Sequence, residues 1–169
     1  MNVLETERMI FRRLVPDDLA ALAALYRDPE IRRYFPEGTL TRAETEEELD
    51  WFRNGHPDHP ELGLWAAILK QTGAFIGRCG LLPWTIEGVD EVEIAYLIAK
   101  PYQRQGLGAE AAQALVRHGF ETLGLKRLLA LIDPAHAASI KTAMKAGLRF
   151  EKEIEMDGVK SAVYARGKL

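Results

Sequence analysis

A mixed α/β fold follows from the order of apolar patterns along the chain. Short strand-like runs separated by turns fill much of the first half. The stretch from Glu91 to Ile132 then reads strand, glycine turn, helix, strand, and the chain closes on a hairpin around Asp157-Gly158. Strands joined by tight turns pair antiparallel, whereas a strand–helix–strand unit makes a right-handed parallel crossover. The expected architecture is a mixed, mostly antiparallel sheet of about six to seven strands with a central parallel crossover, flanked by about four helices.

Each element has its own signal. Met9 to Leu14 sets Met9, Phe11 and Arg13 against Ile10, Arg12 and Leu14, the period of a strand. Pro16-Asp17-Asp18 opens a helix in which Leu19, Leu22, Leu25 and Tyr26 recur at helical spacing, and Asp28-Pro29 stops it. Thr41-Arg42-Ala43-Glu44 is a capping box for a second, acidic helix ending at Asn54-Gly55. Leu64 to Leu69 and Ala74 to Leu82 read as strands around Gln71-Thr72-Gly73, and Glu91 to Ala99 as another. The helix from Gly108 to Leu123 gathers Leu107, Ala111, Ala112, Leu115, Val116 and Phe120 on one broad face. Arg127 to Ile132 is a short apolar strand, and Ala138 to Lys145 a helix ended by Gly147. Phe150 to Met156 and Val159 to Arg166 form the closing hairpin.

The bulk properties exclude several classes. The 169 residues suit one domain, spanning 1–169, with a substantial core. A net charge of −3 gives no basic excess for nucleic acid. Cys79 is the single cysteine, so no disulfide framework is possible, and its apolar run suits a core residue. No apolar stretch reaches the roughly 20 residues of a membrane span, and the N-terminus lacks a signal-peptide core. A cytoplasmic protein that engages neither membrane nor nucleic acid is expected. His56-Pro57-Asp58-His59 lies in a proline-flanked loop with no further ligand cluster, so no metal is expected.

The most informative segment is Gln103-Arg104-Gln105-Gly106-Leu107-Gly108-Ala109, between a strand and an alanine-rich helix. Loop amides and the first free N–H groups of the helix converge there, the helix dipole adds partial positive charge, and glycine lets an anion approach closely. No lysine follows the second glycine, and the spacing is not Gly-x-Gly-x-x-Gly, so neither a P-loop nor a dinucleotide fingerprint is present. A pyrophosphate held by backbone amides is one reading, and an ordinary glycine turn at a helix start is the other. Arg104 either reaches a phosphate or is a solvated loop residue.

With these residues in hand, the chain resembles the GNAT superfamily of acetyl-CoA-dependent N-acetyltransferases. Thr6-Glu7-Arg8-Met9-Ile10-Phe11-Arg12-Arg13-Leu14 resembles the first strand of its ribosomal-protein N-acetyltransferase branch, and Glu93-Ile94-Ala95-Tyr96-Leu97-Ile98 that branch's fourth strand. Gln103-x-x-Gly106-x-Gly108 is similar to the superfamily's coenzyme loop, with Glu110-Ala111 extending the branch pattern. Pro134 to Phe150 and Asp157-Gly158…Tyr164-Ala165-Arg166 resemble the last helix and closing hairpin. The likeness covers nearly the whole chain and is weakest between residues 30 and 62. It implies acetyl-CoA as cosubstrate, no metal, and an amine-bearing substrate, a peptide N-terminus or a small amine, with monomer and homodimer both left open. The coenzyme would contact backbone groups of Leu97, Ile98 and Ala99, the segment Gln103, Arg104, Gln105, Gly106, Leu107, Gly108 and Ala109, and also His136 and Ser139. His136 stands where the family has asparagine, and Ala143 where many members have a general-acid tyrosine. The serine proposed in the branch to protonate the leaving thiolate corresponds to Ser139.

The acceptor side is read from the residues themselves. Glu91, Glu93 and Ala95 alternate onto one strand face, and a mid-strand carboxylate beside a cofactor cleft can collect a proton. Glu93 is thus the candidate base, with Glu153 and Glu155 as rivals. Tyr34, Phe35, Trp51, Phe52 and Trp84 are candidate pocket walls, with Glu155 beside them. At about pH 7, neutralising an α-amine costs about 1 kcal/mol and a lysine amine about 5, from reference pKa values. A site without an obvious strong base therefore suits an α-amine or a low-pKa small amine. A non-catalytic acyl-CoA-binding sensor of the same fold is the alternative function.

Overall fold

The structure, a computed structural model, describes residues 2–168. Eight strands form one sheet in the order β1-β2-β3-β4-β5-β6-β8-β7. They are β1 (Asn2–Glu5), β2 (Met9–Arg13), β3 (Gly63–Leu69), β4 (Phe75–Ile86), β5 (Val89–Ile98), β6 (Arg127–Ile132), β7 (Arg149–Met156) and β8 (Val159–Gly167). The α-helices are α1 (Leu19–Tyr26), α2 (Arg42–Phe52), α3 (Leu107–Arg117) and α4 (Ala137–Lys145). Every strand pair is antiparallel except β5–β6.

Alternation along the central strands divides the core. Trp65, Ala67, Ile76, Cys79, Leu81, Ile94 and Ile98 pack with Leu107, Leu115 and Ala143 of α3 and α4. Leu64, Ala66 and Ala95 pack with Leu22, Leu25, Tyr26, Leu49 and Phe52 of α1 and α2 on the opposite face. The amphipathic face read for α3 is the buried one, with Ala111, Ala112 and Leu115 fully inside. Thr41 caps α2 as expected: its hydroxyl accepts from the Glu44 N–H (3.1 Å), and the Glu44 carboxylate accepts from the Thr41 N–H (2.9 Å).

Four boundaries differ from the sequence reading. The sheet has eight strands rather than six to seven, because Asn2–Glu5 pairs with β2. With only two apolar residues at an edge, that segment carries too short a pattern to register. β4 and β5 run on to a tight hairpin at Glu87-Gly88, where both residues have positive φ (50° and 78°). Such a turn matches the strand twist, but Pro83 and the acidic Asp90-Glu91 mask the alternation on either side. The α2 helix stops at Phe52, short of Asn54-Gly55. The third helix is regular only to Arg117 and continues as a π-helical turn, His118–Thr122, in which the Leu123 N–H donates to the His118 carbonyl.

A feature that positions the site is the junction of β5 and β6. These parallel strands pair at one register position, Glu93↔Leu129, whereas β6 pairs with β8 along its whole length. Beyond Glu93 the two strands part, and α3 and α4 begin beside the opening.

Candidate active site at the parted strands

The glycine loop is shaped for an anion. Gly106 has φ 80°, the left-handed conformation that glycine adopts without cost, and it forms the N-cap of α3. The first helical bond is Glu110 N–H to Gly106 carbonyl (3.0 Å), and the amides of Gly106, Leu107, Gly108 and Ala109 donate to no protein acceptor among the described residues. These four are the unpaired donors that every helix start presents, here at the mouth of the β5–β6 opening. A side chain built at Gly108 would find its nearest protein atom at 3.9 Å, on Thr142, so the space over this turn is open. The donor set fits a phosphate group. Arg104, Gln105 and Gly106 are exposed; Gln103, also exposed, ties the loop to β5 through Nε2 donating to the Ile98 carbonyl (2.9 Å).

Arg8 holds the cradle in place, a role the sequence did not reveal. Its Nη1 donates to the Gln105 carbonyl (2.9 Å), and its Nε to Glu110 (2.8 Å), which also accepts from the Arg8 N–H and the Thr6 hydroxyl. These bonds lower the Glu110 carboxyl despite the opposing effect of burial. The N-terminal strand and the helix start are thereby clamped together over about 100 residues of sequence separation.

Backbone groups of β5 are phased differently from the sequence expectation. The Ala99 N–H donates to Ile76 in β4 (2.7 Å). Main-chain groups alternate sides along a strand, so Leu97 and Ala99 face β4, whereas Tyr96 and Ile98 face the open side. Of the three residues expected to pair with a coenzyme arm, Ile98 alone is oriented for it, and Gln103 already engages its carbonyl. Tyr96 also turns its main-chain groups to the open side. The phase of the alternation depends on which neighbour a strand bonds, and the sequence does not carry it.

The two faces of β5 carry different chemistry. On the α3/α4 face the Tyr96 hydroxyl donates to the Ser139 carbonyl (2.9 Å) and lies 3.2 Å from Ser139 Oγ. Burial pushes the Tyr96 phenol up to about 12, so it stays protonated. Ala143 is fully buried in the core, one turn beyond Ser139 on α4. His136 occupies the N-cap of α4 without capping it, and its ring stacks on Tyr34 at 4.1 Å and 13°. Burial lowers the His136 pKa, partly offset by Asp133, which favours the neutral imidazole.

On the α1/α2 face two carboxylates have opposite surroundings. Glu91 is gripped by Arg127 (2.9–3.1 Å), which also binds Glu151. Glu93 has no cation within ion-pair distance among the described residues. It accepts from Trp84 Nε1 (2.9 Å), and the Leu131 N–H adds a favourable dipole across the parting strands. Burial pushes its carboxyl up to about 7, against the lowering effects of Trp84, Leu131 and the Arg78 charge. A carboxylate that exchanges its proton near neutrality is matched to general-base work.

The remaining candidates divide. Trp84 joins Glu93. Tyr34 reaches His136, and Phe35 lies beneath the Arg32 guanidinium (4.0 Å). Trp51 is elsewhere, exposed beside a shallow cleft of about 410 Å³ lined by Asp50, Asn54, His56 and Pro60, and Phe52 is in the core. Glu153 and Glu155 are exposed and alternate away from Ile154, which packs with Leu129 on the Glu93 side. The hairpin carboxylates therefore point to the opposite face from Glu93.

A mixed sheet with one parted parallel pair and an amide cradle at the adjoining helix start is the framework of an acyltransferase. The chain matches the acetyltransferase (GNAT) domain family over residues 8–149, and it belongs to that family. It is 34% identical over 164 residues to the uncharacterized protein YkkB of Bacillus subtilis (strain 168), covering 96% of this chain and 94% of the relative. A GNAT-family acetyltransferase from Bacillus anthracis superposes with a TM-score of 0.84 at 23% identity, over 97% of each chain. AAC(6')-Ib in complex with paromomycin and acetyl-CoA superposes with a TM-score of 0.77 at 17% identity, over 96% of this chain and 94% of that one. The protein is an N-acetyltransferase, and among the described residues no helix is long and apolar enough to cross a membrane.

Proposed function

We propose that this N-acetyltransferase moves the acetyl group of acetyl-CoA to an α-amine, that of a peptide or protein N-terminus or of a small amine, in a ternary complex. The observation that carries the reading is the division of β5 at the parted strands, with Glu93 on one face and Tyr96 with Ser139 on the other. Acetyl-CoA supplies an activated acyl thioester. The amides of Gly106 to Ala109 hold its phosphates, and the main-chain groups of Tyr96 and the N–H of Ile98 face its arm. Glu93 accepts the proton of the amine, through water, as the amine attacks from the α1/α2 side. Ser139 Oγ donates a hydrogen bond to the departing thiolate, which takes up a proton from water as Glu93 returns the amine's proton to solvent, and the Tyr96 hydroxyl holds Ser139 in place.

An α-amine fits a base titrating near 7 better than lysine does, because the proton need move only about one pKa unit uphill. The likeness to the ribosomal-protein branch supports a peptide N-terminus. Thiol release from acetyl-CoA tests this directly. A peptide with a free N-terminus and no lysine is expected to turn over faster than the same peptide blocked at the N-terminus and carrying one lysine. Faster turnover of the blocked peptide overturns the α-amine assignment.

A further inference from the structure

Two guanidiniums are buried on the α1/α2 face with less compensation than buried charges ordinarily have: Arg78 has no carboxylate partner among the described residues, and Arg32 pairs only with an exposed one. Arg32 is 5% exposed and Arg78 6%. The contrast is Asp18, equally buried, which Arg12 grips with two bonds of 2.8 and 2.9 Å. Arg32 donates through Nε to the Gly38 carbonyl (2.7 Å), and its nearest carboxylate, at 3.6 Å, is Glu37, which is mostly in solvent. Arg78 donates through Nε to the Tyr26 hydroxyl (2.8 Å) and has no carboxylate within 4.0 Å among the described residues. Both cations lie over the same two rings, Tyr26 and Phe35, at 4.0–5.8 Å from the centroids. Glu48 adds one negative charge nearby, and its Oε2 is the single sealed side-chain oxygen without a partner among the described residues. The Nη atoms of Arg78 make no hydrogen bond among the described residues, so the outer edge of its guanidinium is uncommitted.

The cluster lies in line with Glu93. Along the β4–β5 ladder, Arg78 pairs with Leu97, Gly80 with Ala95 and Leu82 with Glu93, and their side chains share one face. The row between the cation and the carboxylate is therefore floored by the two smallest residues. We propose that Arg78, seconded by Arg32, seats a carboxylate of the acceptor, so that the acceptor is a small amino carboxylate whose amine lies toward Glu93. This rests on the acetyl-transfer reading above and narrows its acceptor. A planar guanidinium grips a carboxylate through two parallel bonds, which selects against a neutral amide of the same shape.

The test compares leucine with leucinamide at saturating acetyl-CoA, with rates expressed per neutral amine because a free carboxylate raises the pKa of the amine beside it. The expected result is a kcat/KM per neutral amine roughly tenfold or more in favour of leucine. In Arg78→Gln the preference falls to near unity, while the KM for acetyl-CoA is unchanged. Arg78→Lys keeps the charge without the fork and is expected to retain part of the preference, which also covers a poorly folding glutamine variant. In parallel, leucine should raise the melting temperature of the CoA-saturated wild type and not of Arg78→Gln. Equal rates on carboxylate and amide, or a preference that survives Arg78→Gln, overturn the proposal and leave acetyl transfer standing. Arg78-dependent stabilisation by leucine without acetylation of any amine supports the carboxylate seat and overturns the acetyl-transfer reading instead. A tetrapeptide amide with an N-terminal aspartate that outperforms free leucine overturns the small-molecule acceptor in favour of a peptide side chain.

Discussion

The two faces of the sheet bring their chemistry to the same junction by different means. The α3/α4 face offers main-chain groups: four unpaired amides at the start of α3 and the open edge of β5. Its side-chain contribution is small, a tyrosine hydroxyl against Ser139. The α1/α2 face offers side chains: Glu93 held by Trp84, and two buried arginines over shared aromatic rings. A main-chain site recognises what a helix start always recognises, and so suits a ligand common to many relatives. A side-chain site changes with each substitution, and so suits the partner that distinguishes one relative from another.

The comparison can be broken most sharply at Glu93. Glu93→Gln keeps shape and hydrogen bonding but removes the proton acceptor, and kcat is expected to fall by roughly 10²–10⁴. The loss should shrink as pH rises, because alkaline solution supplies the neutral amine. Fold stability gives an independent check with its own sign. A carboxyl raised to about 7 in the folded state binds its proton more tightly than in the unfolded chain, so wild-type stability declines as pH rises from the ordinary carboxylate range through about 7. The glutamine variant lacks that decline, and its melting temperature should gain on the wild type across the same window. A wild-type pH–rate profile in Glu93→Gln removes Glu93 from the reaction.

On the other face the largest effect is expected at the glycine loop. Gly106 has positive φ, so valine there strains the loop itself, and Gly108 gives the cleaner test because its Cβ position is open. Gly108→Val should weaken CoA binding by calorimetry on the order of 10²-fold, since its branches occupy space over the unpaired amides. Unchanged affinity in the folded variant refutes the cradle. Ser139→Ala should lower kcat by about tenfold or more with little change in the acetyl-CoA KM, as befits a group needed at the transition state. A change confined to KM makes Ser139 a binding residue. Tyr96→Phe should cost less than Ser139→Ala, because it removes a support and leaves the donor.

The smallest effect is expected at Trp84. Its indole N–H stabilises the Glu93 carboxylate, so Trp84→Phe should move the acid limb of the kcat/KM profile upward from about 7 by a fraction of a pH unit. The acceptor amine adds its own limb, at about 7.7–8.0 for an α-amine, which this substitution does not touch. An unmoved acid limb makes Trp84 a wall of the pocket and nothing more.

Local chemistry is what the sequence conveyed well. The capping box at Thr41, the amphipathic face of α3, the Asp157-Gly158 turn and the glycine loop each depend on residues a few positions apart, and each stands in the structure near where the pattern puts it. The same reach explains why β1 and the Glu87-Gly88 hairpin escaped notice: two apolar residues at an edge, and a turn flanked by proline and acids, do not make a period. Tertiary structure alone decided three things. It set the phase of β5, which turned Tyr96 and Ile98 rather than Leu97 toward the opening, because main-chain direction depends on the strand bonded alongside. It separated Glu91, tied to Arg127, from Glu93, left to titrate near 7, although two residues of the same type stand on the same strand face. It brought Tyr26 and Arg32, at the end of α1 and in the turn after it, together with Arg78 of β4 into one buried cluster. Periodicity fixes which way a side chain points. Which charge it then meets depends on contacts closed across the sheet, and no window of sequence contains them.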